Sequence, residues 1–422
     1  MNTPALNNHF LLVGNGVYTN RGCEAIVRGT MDILRGAFGH QASADLACFG
    51  DPVMCEKQAG EESDPGIRRT YSLSVPTSRW ERWARGINHR ALLHLPWPEA
   101  FRIPGSYRVI TESLRNTSAA LQVGGDNYSL DYGFPVAFME LDRCIQDAGV
   151  PLVIWGASIG PFHARPTFAR KMFKHLKSVS AIFVRETLTQ EYLFRNGVRE
   201  NVHFMPDPAF LMRAEAPPPR KMLQRPPLRS IGINLSPLYG KYVCKDRADE
   251  WLSVCVDLVV SVQNRTARPI VLVPHVVDPR PPNDDHYFLE RVAEEARRNG
   301  AGELIVVGRD LSAAETKWLI SNCAVFGGAR MHSVIAALST CTPTLAFAYS
   351  TKAKGLVQDV LGTRDYVIDA SAFQPQAVTE RLATLLSREK EVRLTLENRM
   401  PAILRLARRA GEELRSILSA GA

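Results

Sequence analysis

Four cations lie close together in residues 324–354, AVFGGARMHSVIAALSTCTPTLAFAYSTKAK: Arg330, His332, Lys352 and Lys354. A short apolar strand, Ala324 to Phe326, runs into Gly327-Gly328, and a helix is predicted to open at about Met331, leaving Arg330 and His332 at its amino end. The free N–H groups and partial positive charge of a helix start make it a place for an anion. The helix is predicted to end near Thr340, and a strand from Thr344 to Tyr349 then leads to the two lysines. Arginine offers a planar fork to carboxylate or phosphate, lysine a point charge, and histidine a proton-transfer group near neutrality. The chemistry this predicts is binding of a phosphorylated carboxylate.

A second group comes earlier. AALQVGGDNYS, PLVIWGASIGPF, SAIFVRE and VHFMPDPAF, read from Ala119 onward, are apolar runs that end in glycine or a charged residue. In open parallel sheets, ligands sit beyond the carboxyl ends of the strands. Asp126, Asn127, Ser158, His163, Arg185, Glu186 and Asp207 are therefore directed at one rim. Singly each has a local explanation: Asp207 before Pro208 suits a turn, and Asp126 suits a helix cap.

The elements that carry these groups read as α/β units. His9 to Gly14 is a buried strand, and a loop leads from it to a helix with Ile26, Thr30, Ile33, Leu34 and Ala37 on one face. Glycines 14, 16 and 22 lack dinucleotide-fold spacing, which gives a nicotinamide or flavin little support. Asp45 to Phe49 is a second strand. The proline-rich stretch Ala216 to Arg229 can continue neither a helix nor a central strand, and the domain boundary is placed there. Residues 1–215 then form one Rossmann-like domain and residues 230–375 another, facing across a cleft, with helices over 376–422 that can pack back on the first.

Length and composition agree. A chain of 422 residues with 45% hydrophobic and 22% charged residues suits two globular domains. A formal charge of +8 favours anionic partners. No basic run interleaved with aromatics appears, so nucleic acid is the weakest partner. The amino terminus has no secretion-signal pattern and no window is apolar enough to span a membrane, so a cytoplasmic place is expected. Eight cysteines without a C-x-x-C pair predict reduced thiols and no structural metal. One segment, SRWERWARGINHRALLHLPWPEAFR, puts Trp80, Trp83, Ile87 and Ala91 at helical spacing among arginines. Two readings stand for it: a helix packed on its own domain with a solvated arginine face, or a peripheral contact with the anionic inner face of a membrane.

The blocks N-R-G-C-E-A-I (20–26), G-G-D-N (124–127), W-G-A-S-I-G-P-F (155–162), V-R-E (184–186), P-D-P-A-F (206–210), V-P-H (273–275) and G-A-R-M-H-S (328–333), with the tyrosine and lysines at 349–354, in this order resemble the polysaccharide pyruvyl transferase family. The resemblance runs from about residue 10 to 370, and it departs at Cys23, where the family often has aspartate. It implies a fold like the GT-B glycosyltransferases, and transfer of pyruvate from phosphoenolpyruvate to a saccharide acceptor as a ketal.

On that resemblance Arg330 binds the donor, with Arg185 from the other half as its second arginine and Lys352 and Lys354 on the phosphate. Asp126, Asn127, Ser158 and Asp207 lie on the acceptor side. His332 is the proton-transfer residue, followed by His163 and then His275. The Asn283, Asp284, Asp285 cluster contacts a sugar or metal, or simply caps the next helix. The chemistry as written needs no metal and no cofactor beyond the donor. The rival readings are a nucleotide-sugar glycosyltransferase, with Asp310 or Glu315 on the ribose, and a catalytically silent binding subunit. The acceptor can be lipid-linked, nucleotide-linked or free.

Overall fold

The computed structural model describes residues 8–74, 78–94, 107–131, 133–221, 226–245 and 247–420. They form two compact units, one of residues 1–17, 29–208 and 406–422, the other of residues 18–28 and 209–405.

The first unit holds a seven-stranded sheet of β1 (His9–Asn15), β2 (Ser43–Cys48), β3 (Ile67–Ser72), β4 (Ala120–Gln122), β5 (Leu152–Ala157), β6 (Ala181–Val184) and β7 (Val202–Phe204), in the order β3-β2-β1-β4-β5-β6-β7. Every pairing is parallel. A parallel sheet covered on both faces selects continuous apolar runs, and β1 and β5 are buried at every residue. The predicted helix face is seen in helix Arg21–Phe38, where Ile26, Thr30, Ile33, Leu34 and Ala37 are all buried. Each large aliphatic side chain so buried contributes about 1.5–3 kcal/mol. Helix Glu389–Ala420 reaches this unit over its last residues, where Gly411 lies close against Ile33 and Ala37 and Arg415 donates to the Ala37 carbonyl at 3.3 Å.

The second unit holds a six-stranded sheet of β8 (Ile231–Asn234), β9 (Ile270–Leu272), β10 (Leu304–Val306), β11 (Val325–Gly328), β12 (Thr344–Ala348) and β13 (Val367–Asp369), in the order β10-β9-β8-β11-β12-β13, again all parallel. In both sheets the chain starts in the middle, winds to one edge, returns and winds to the other. The strand order reverses between β1 and β4 in one unit and between β8 and β11 in the other. Such switch points are where doubly wound sheets take their ligands.

The boundary differs from the expected one. Ala209, Phe210 and Met212 belong to the hydrophobic core of the second unit, and the buried Lys317 Nζ donates to the carbonyls of Phe210 and Met212, the first at 3.3 Å. Glu215 N–H donates to Ala314 O at 3.1 Å, and Lys221 pairs with Glu315 at 2.9 Å. The proline-rich stretch is thus strapped to the second unit and the division falls at 208/209, although residues 222–225 lie outside those described. Residues 18–28 also belong to the second unit, not the first. Asn20 bridges Val276, Val277 N–H donates to Thr19 O at 2.8 Å, and Ala313 N–H donates to Glu24 at 2.8 Å.

Candidate functional site

At the switch point of the second unit, β8 ends in Asn234 and β11 in Gly328. Asn234 ties them together: its backbone carbonyl accepts from Ala329 N–H at 3.1 Å and its side-chain oxygen from Arg330 N–H at 2.8 Å. Arg330 is the N-cap residue of helix Met331–Ser339, and His332 stands in that helix's first turn. The side chain of Arg330 meets Asp285, with Nη2 donating to Oδ1 at 2.8 Å and Nε reaching both carboxylate oxygens at 3.3 Å. Asp285 is fully buried, and its Oδ2 also accepts from the backbone N–H groups of His275 and Val276 at 3.2 and 3.0 Å. One carboxylate therefore fixes both the arginine and the loop that carries His275.

His275 is 3% exposed, and neither ring nitrogen has a hydrogen-bond partner among the described residues. Burial pushes its pKa well below the usual histidine value, and the electrostatic influence of His332, Arg330 and Arg21 lowers it further. It is a neutral imidazole at pH 7, with one donor and one acceptor buried. Leaving such groups unmade costs about 1–3 kcal/mol, a cost that a polar ligand would offset.

The segment from the amino-terminal block completes the surroundings. Arg21 N–H donates to His275 O at 2.9 Å, and the Arg21 guanidinium is held by the carbonyls of Tyr18 and Arg309 at 3.0 and 2.8 Å. Gly22 lies so close to His332 that a Cβ there would come within 2.5 Å of the ring Nδ1. Only a glycine lets the start of helix Arg21–Phe38 approach the imidazole this closely. Blocks 20–26, 273–275 and 328–333, far apart in sequence, thus converge.

Lys352 is buried at the start of helix Thr351–Leu361, and Lys354 pairs with Asp369 at the end of β13 at 2.5 Å. Asp284, in contrast to Asp285, is the cap of helix Asp285–Arg298, accepting from His286 and Tyr287 N–H. Of the two carboxylates considered for a ribose, Glu315 is spent on the capping box of its own helix and on Lys221, and Asp310 is exposed.

The rim of the first unit is of another kind. Arg185, expected to bind the donor, is buried with each guanidinium nitrogen committed: Nε to Ser158 Oγ at 2.8 Å, Nη1 to Asp207 at 2.9 Å and Nη2 to Asp126 at 2.8 Å. Glu186 accepts from Ser158 at 2.9 Å and from Thr189, and burial raises its pKa to about 7 against the opposing pull of Arg185, Thr189 and Ser158. Arg185 is the hub of a buried ionic network. A donor anion would have to displace carboxylates to reach it. Asn127 donates from Nδ2 to Gly14 O at 2.9 Å and to Gln122 at 3.2 Å, closing the β1/β4 switch point. Gly14 has a φ of +78°, and a Cβ there would overlap the Gln122 side chain. Among the acceptor-side residues, Asp207 and Ser158 are buried in the network, while Asp126 retains partial exposure. His163 is exposed ahead of helix Pro166–Ser178.

Sequence reasoning singled out Arg330 and His332, ranked His275 third and missed the part of Asp285. The spacing of V-P-H and Asp285 was the available signal, since a carboxylate ten residues downstream can fold back onto the histidine's own loop.

Comparison with known proteins gives the family and the fold. Residues 20–351 match the family described as polysaccharide pyruvyl transferase. The amylovoran biosynthesis protein AmsJ of Erwinia amylovora is 22% identical over 402 residues, covering 90% of this chain and 93% of that protein. Among solved structures, the UDP-GlcNAc 2-epimerase of Neisseria meningitidis superposes with a TM-score of 0.59 at 10% identity, covering 97% of this chain and 99% of that one. The α,α-trehalose 6-phosphate synthase of Burkholderia multivorans gives 0.56 at 12% identity, covering 98% and 100%. These likenesses establish two Rossmann-like domains of GT-B type.

Proposed function

The chain belongs to the polysaccharide pyruvyl transferase family, and from that premise we propose that it moves pyruvate from phosphoenolpyruvate onto two hydroxyls of a sugar as a ketal, in the biosynthesis of an exopolysaccharide or cell-envelope polysaccharide. A transferase role in polysaccharide modification follows from membership itself. The finer reading is supported above all by one observation: a buried, neutral His275 with both ring nitrogens unpartnered lies in the field of Arg330, Arg21 and His332.

Phosphoenolpyruvate carries a carboxylate and a phosphate on a three-carbon unit. Arg330, oriented by Asp285 at a helix start, takes one of these anionic groups through charge-assisted hydrogen bonds. Lys352 and Lys354 are the cations for the other. The reaction needs a proton on the methylene carbon, addition of one hydroxyl oxygen at the central carbon, and cleavage of the bond from that carbon to the phosphate oxygen. The second hydroxyl then closes the ring. Of the two hydroxyl protons, one balances the new methyl group and the other leaves with phosphate.

His332 is the residue for proton transfer, because an imidazole can both give and take a proton near neutral pH. His275, held neutral, hydrogen-bonds the donor or the attacking hydroxyl. Asp126 and Asn127 are the half-buried residues of the acceptor side. Arg185 is assigned to holding that rim in shape.

The test is incubation with phosphoenolpyruvate and a panel of galactose-, glucose- and mannose-containing acceptors, both free and lipid-linked. Phosphorus NMR should show inorganic phosphate, and the product should gain the mass of a pyruvate ketal. Release of a nucleoside diphosphate from a nucleotide-sugar instead would establish the glycosyltransferase reading. Donor binding without turnover on any acceptor would favour a silent subunit.

A further inference from the structure

We propose that the outer face of helix Arg79–His94 docks the protein on a membrane surface rich in anionic lipid. The helix belongs to the first unit and is anchored there by its inner face. Ala84, Asn88 and Ala91 are buried, Asn88 donates to Glu140 at 2.9 Å, and the Ala91 carbonyl accepts from Lys171 at 2.7 Å. This bonding fixes which side chains point away.

Trp80 and Trp83 do, at 56% and 64% exposure, with ring centroids 6.5 Å apart. The sequence pattern grouped both with Ile87 and Ala91 and left open which way that stripe faces; the inward positions are 84, 88 and 91. Elsewhere among the described residues Trp155 and Trp251 are buried and Trp318 is half-buried, so two adjacent exposed indoles are a departure from how this chain treats tryptophan. Around them Arg79, Arg82, His89 and Arg90 are also exposed. At 100° per residue, Arg79, Trp83 and Arg90 fall within about 40° of one another. The outward arc of residues 79, 82, 83, 86, 89 and 90, with the exposed Trp80 at its edge about 60° from Trp83, contains no carboxylate.

A docking protein surface would be met by matching shape. Here the features are indoles beside arginines on a convex helix, which suit the headgroup layer: the ring body enters the apolar boundary while guanidinium groups pair with lipid phosphates. Each arginine held at an anionic surface strengthens association by about fivefold. Among the described residues no helix is long and apolar enough to cross a membrane, so the contact proposed is peripheral. Residues 95–102 of the same basic stretch lie outside those described. The inference stands apart from the pyruvyl-transfer reading, since lipid binding is read without substrate.

The experiment is co-sedimentation of the full-length protein with vesicles of phosphatidylcholine alone and of phosphatidylcholine mixed with phosphatidylglycerol. The parent should pellet with the mixed vesicles and shift its indole emission to the blue, with little binding to the neutral ones. The double variant Trp80→Ser, Trp83→Ser should lose about tenfold or more in partitioning. The triple variant Arg79→Gln, Arg82→Gln, Arg90→Gln should lose more, both variants keeping the parent's circular dichroism and melting temperature. If the parent ignores anionic vesicles, or the tryptophan variant binds them equally well, the proposal is overturned. It is equally overturned if the tryptophan substitutions change only the sedimentation coefficient, because the face would then be a contact between copies of the chain.

Discussion

Each unit places an arginine just after the carboxyl end of a parallel strand, and each closes its switch point with an asparagine side chain, Asn127 in one and Asn234 in the other. The two arginines are then treated differently. Arg185 is enclosed by Asp126, Asp207, Glu186 and Ser158, so the field it would present is cancelled within the protein. Arg330 meets the carboxylate of Asp285 and stands among Arg21, His332 and an unpartnered His275. Identical residue types at the carboxyl ends of strands in two similar sheets, Arg330 beside its switch point and Arg185 two strands away from its own, can serve as a brace or a binding group. What separates them is which neighbours the fold brings within reach: a closed set of carboxylates and a hydroxyl around Arg185, a histidine with unmet hydrogen-bonding capacity beside Arg330.

That contrast can be broken from either side. The largest effect is expected at His332. His332→Ala should lower kcat by about a thousandfold through loss of proton transfer, while equilibrium binding of phosphoenolpyruvate, measured by calorimetry, persists. Arg330→Ala should remove that binding instead, and Arg330→Lys should restore little of it because the fork is lost. If both kept near-parental phosphate release, the second unit's rim would not be the site.

Arg185→Ala comes next, and its effect should appear in stability. Removing the shared partner leaves carboxylates buried and uncompensated, a loss of about 3–5 kcal/mol seen as a lower urea midpoint. A stable Arg185→Ala protein with lost donor affinity would reverse the assignment of the two arginines.

His275→Leu should move activity and stability in opposite directions. Turnover should fall by about tenfold to a hundredfold, while the melting temperature holds or rises because an unsatisfied buried polar ring is gone.

The smallest effect concerns Glu186. Its carboxyl is held by burial at about 7 against an unfolded value near 4.5. The native state then keeps a proton that the unfolded chain has released. The associated stability is full below about pH 4.5 and is lost as pH rises through about 7. Glu186→Gln should therefore be more stable than the parent at pH 8, by on the order of 1 kcal/mol or more, with the difference shrinking toward pH 5. Thermal melts across that range check the sign.

Much of this was legible in the primary sequence. Strand and helix positions followed from apolar periodicity, because runs such as HFLLVGN and LVIWGA suit only elements buried on both sides. The Arg330–His332 pair was visible because a strand, two glycines and a helix start leave few places for those side chains. Other features were not legible. The domain boundary was drawn at the prolines, whereas Lys317 reaches across more than a hundred residues to bind the carbonyls of Phe210 and Met212. Spacing put Trp80 and Trp83 in line with Ile87 and Ala91 and left open whether that stripe packs inward or faces a membrane, because spacing cannot tell which of two arcs a helix presents to its neighbours.

Local pattern by itself determined the alternation of strands and helices, and the residue types able to hold an anionic donor and move a proton. Tertiary structure alone decided which of those residues are neutralised and which are left with unmet hydrogen-bonding capacity. The reason is physical: a side chain's type is set by one codon, but its field is the sum over charges and dipoles brought near it by folding. Asp285 beside Arg330 and three carboxylates about Arg185 are such sums, and no window of sequence contains them.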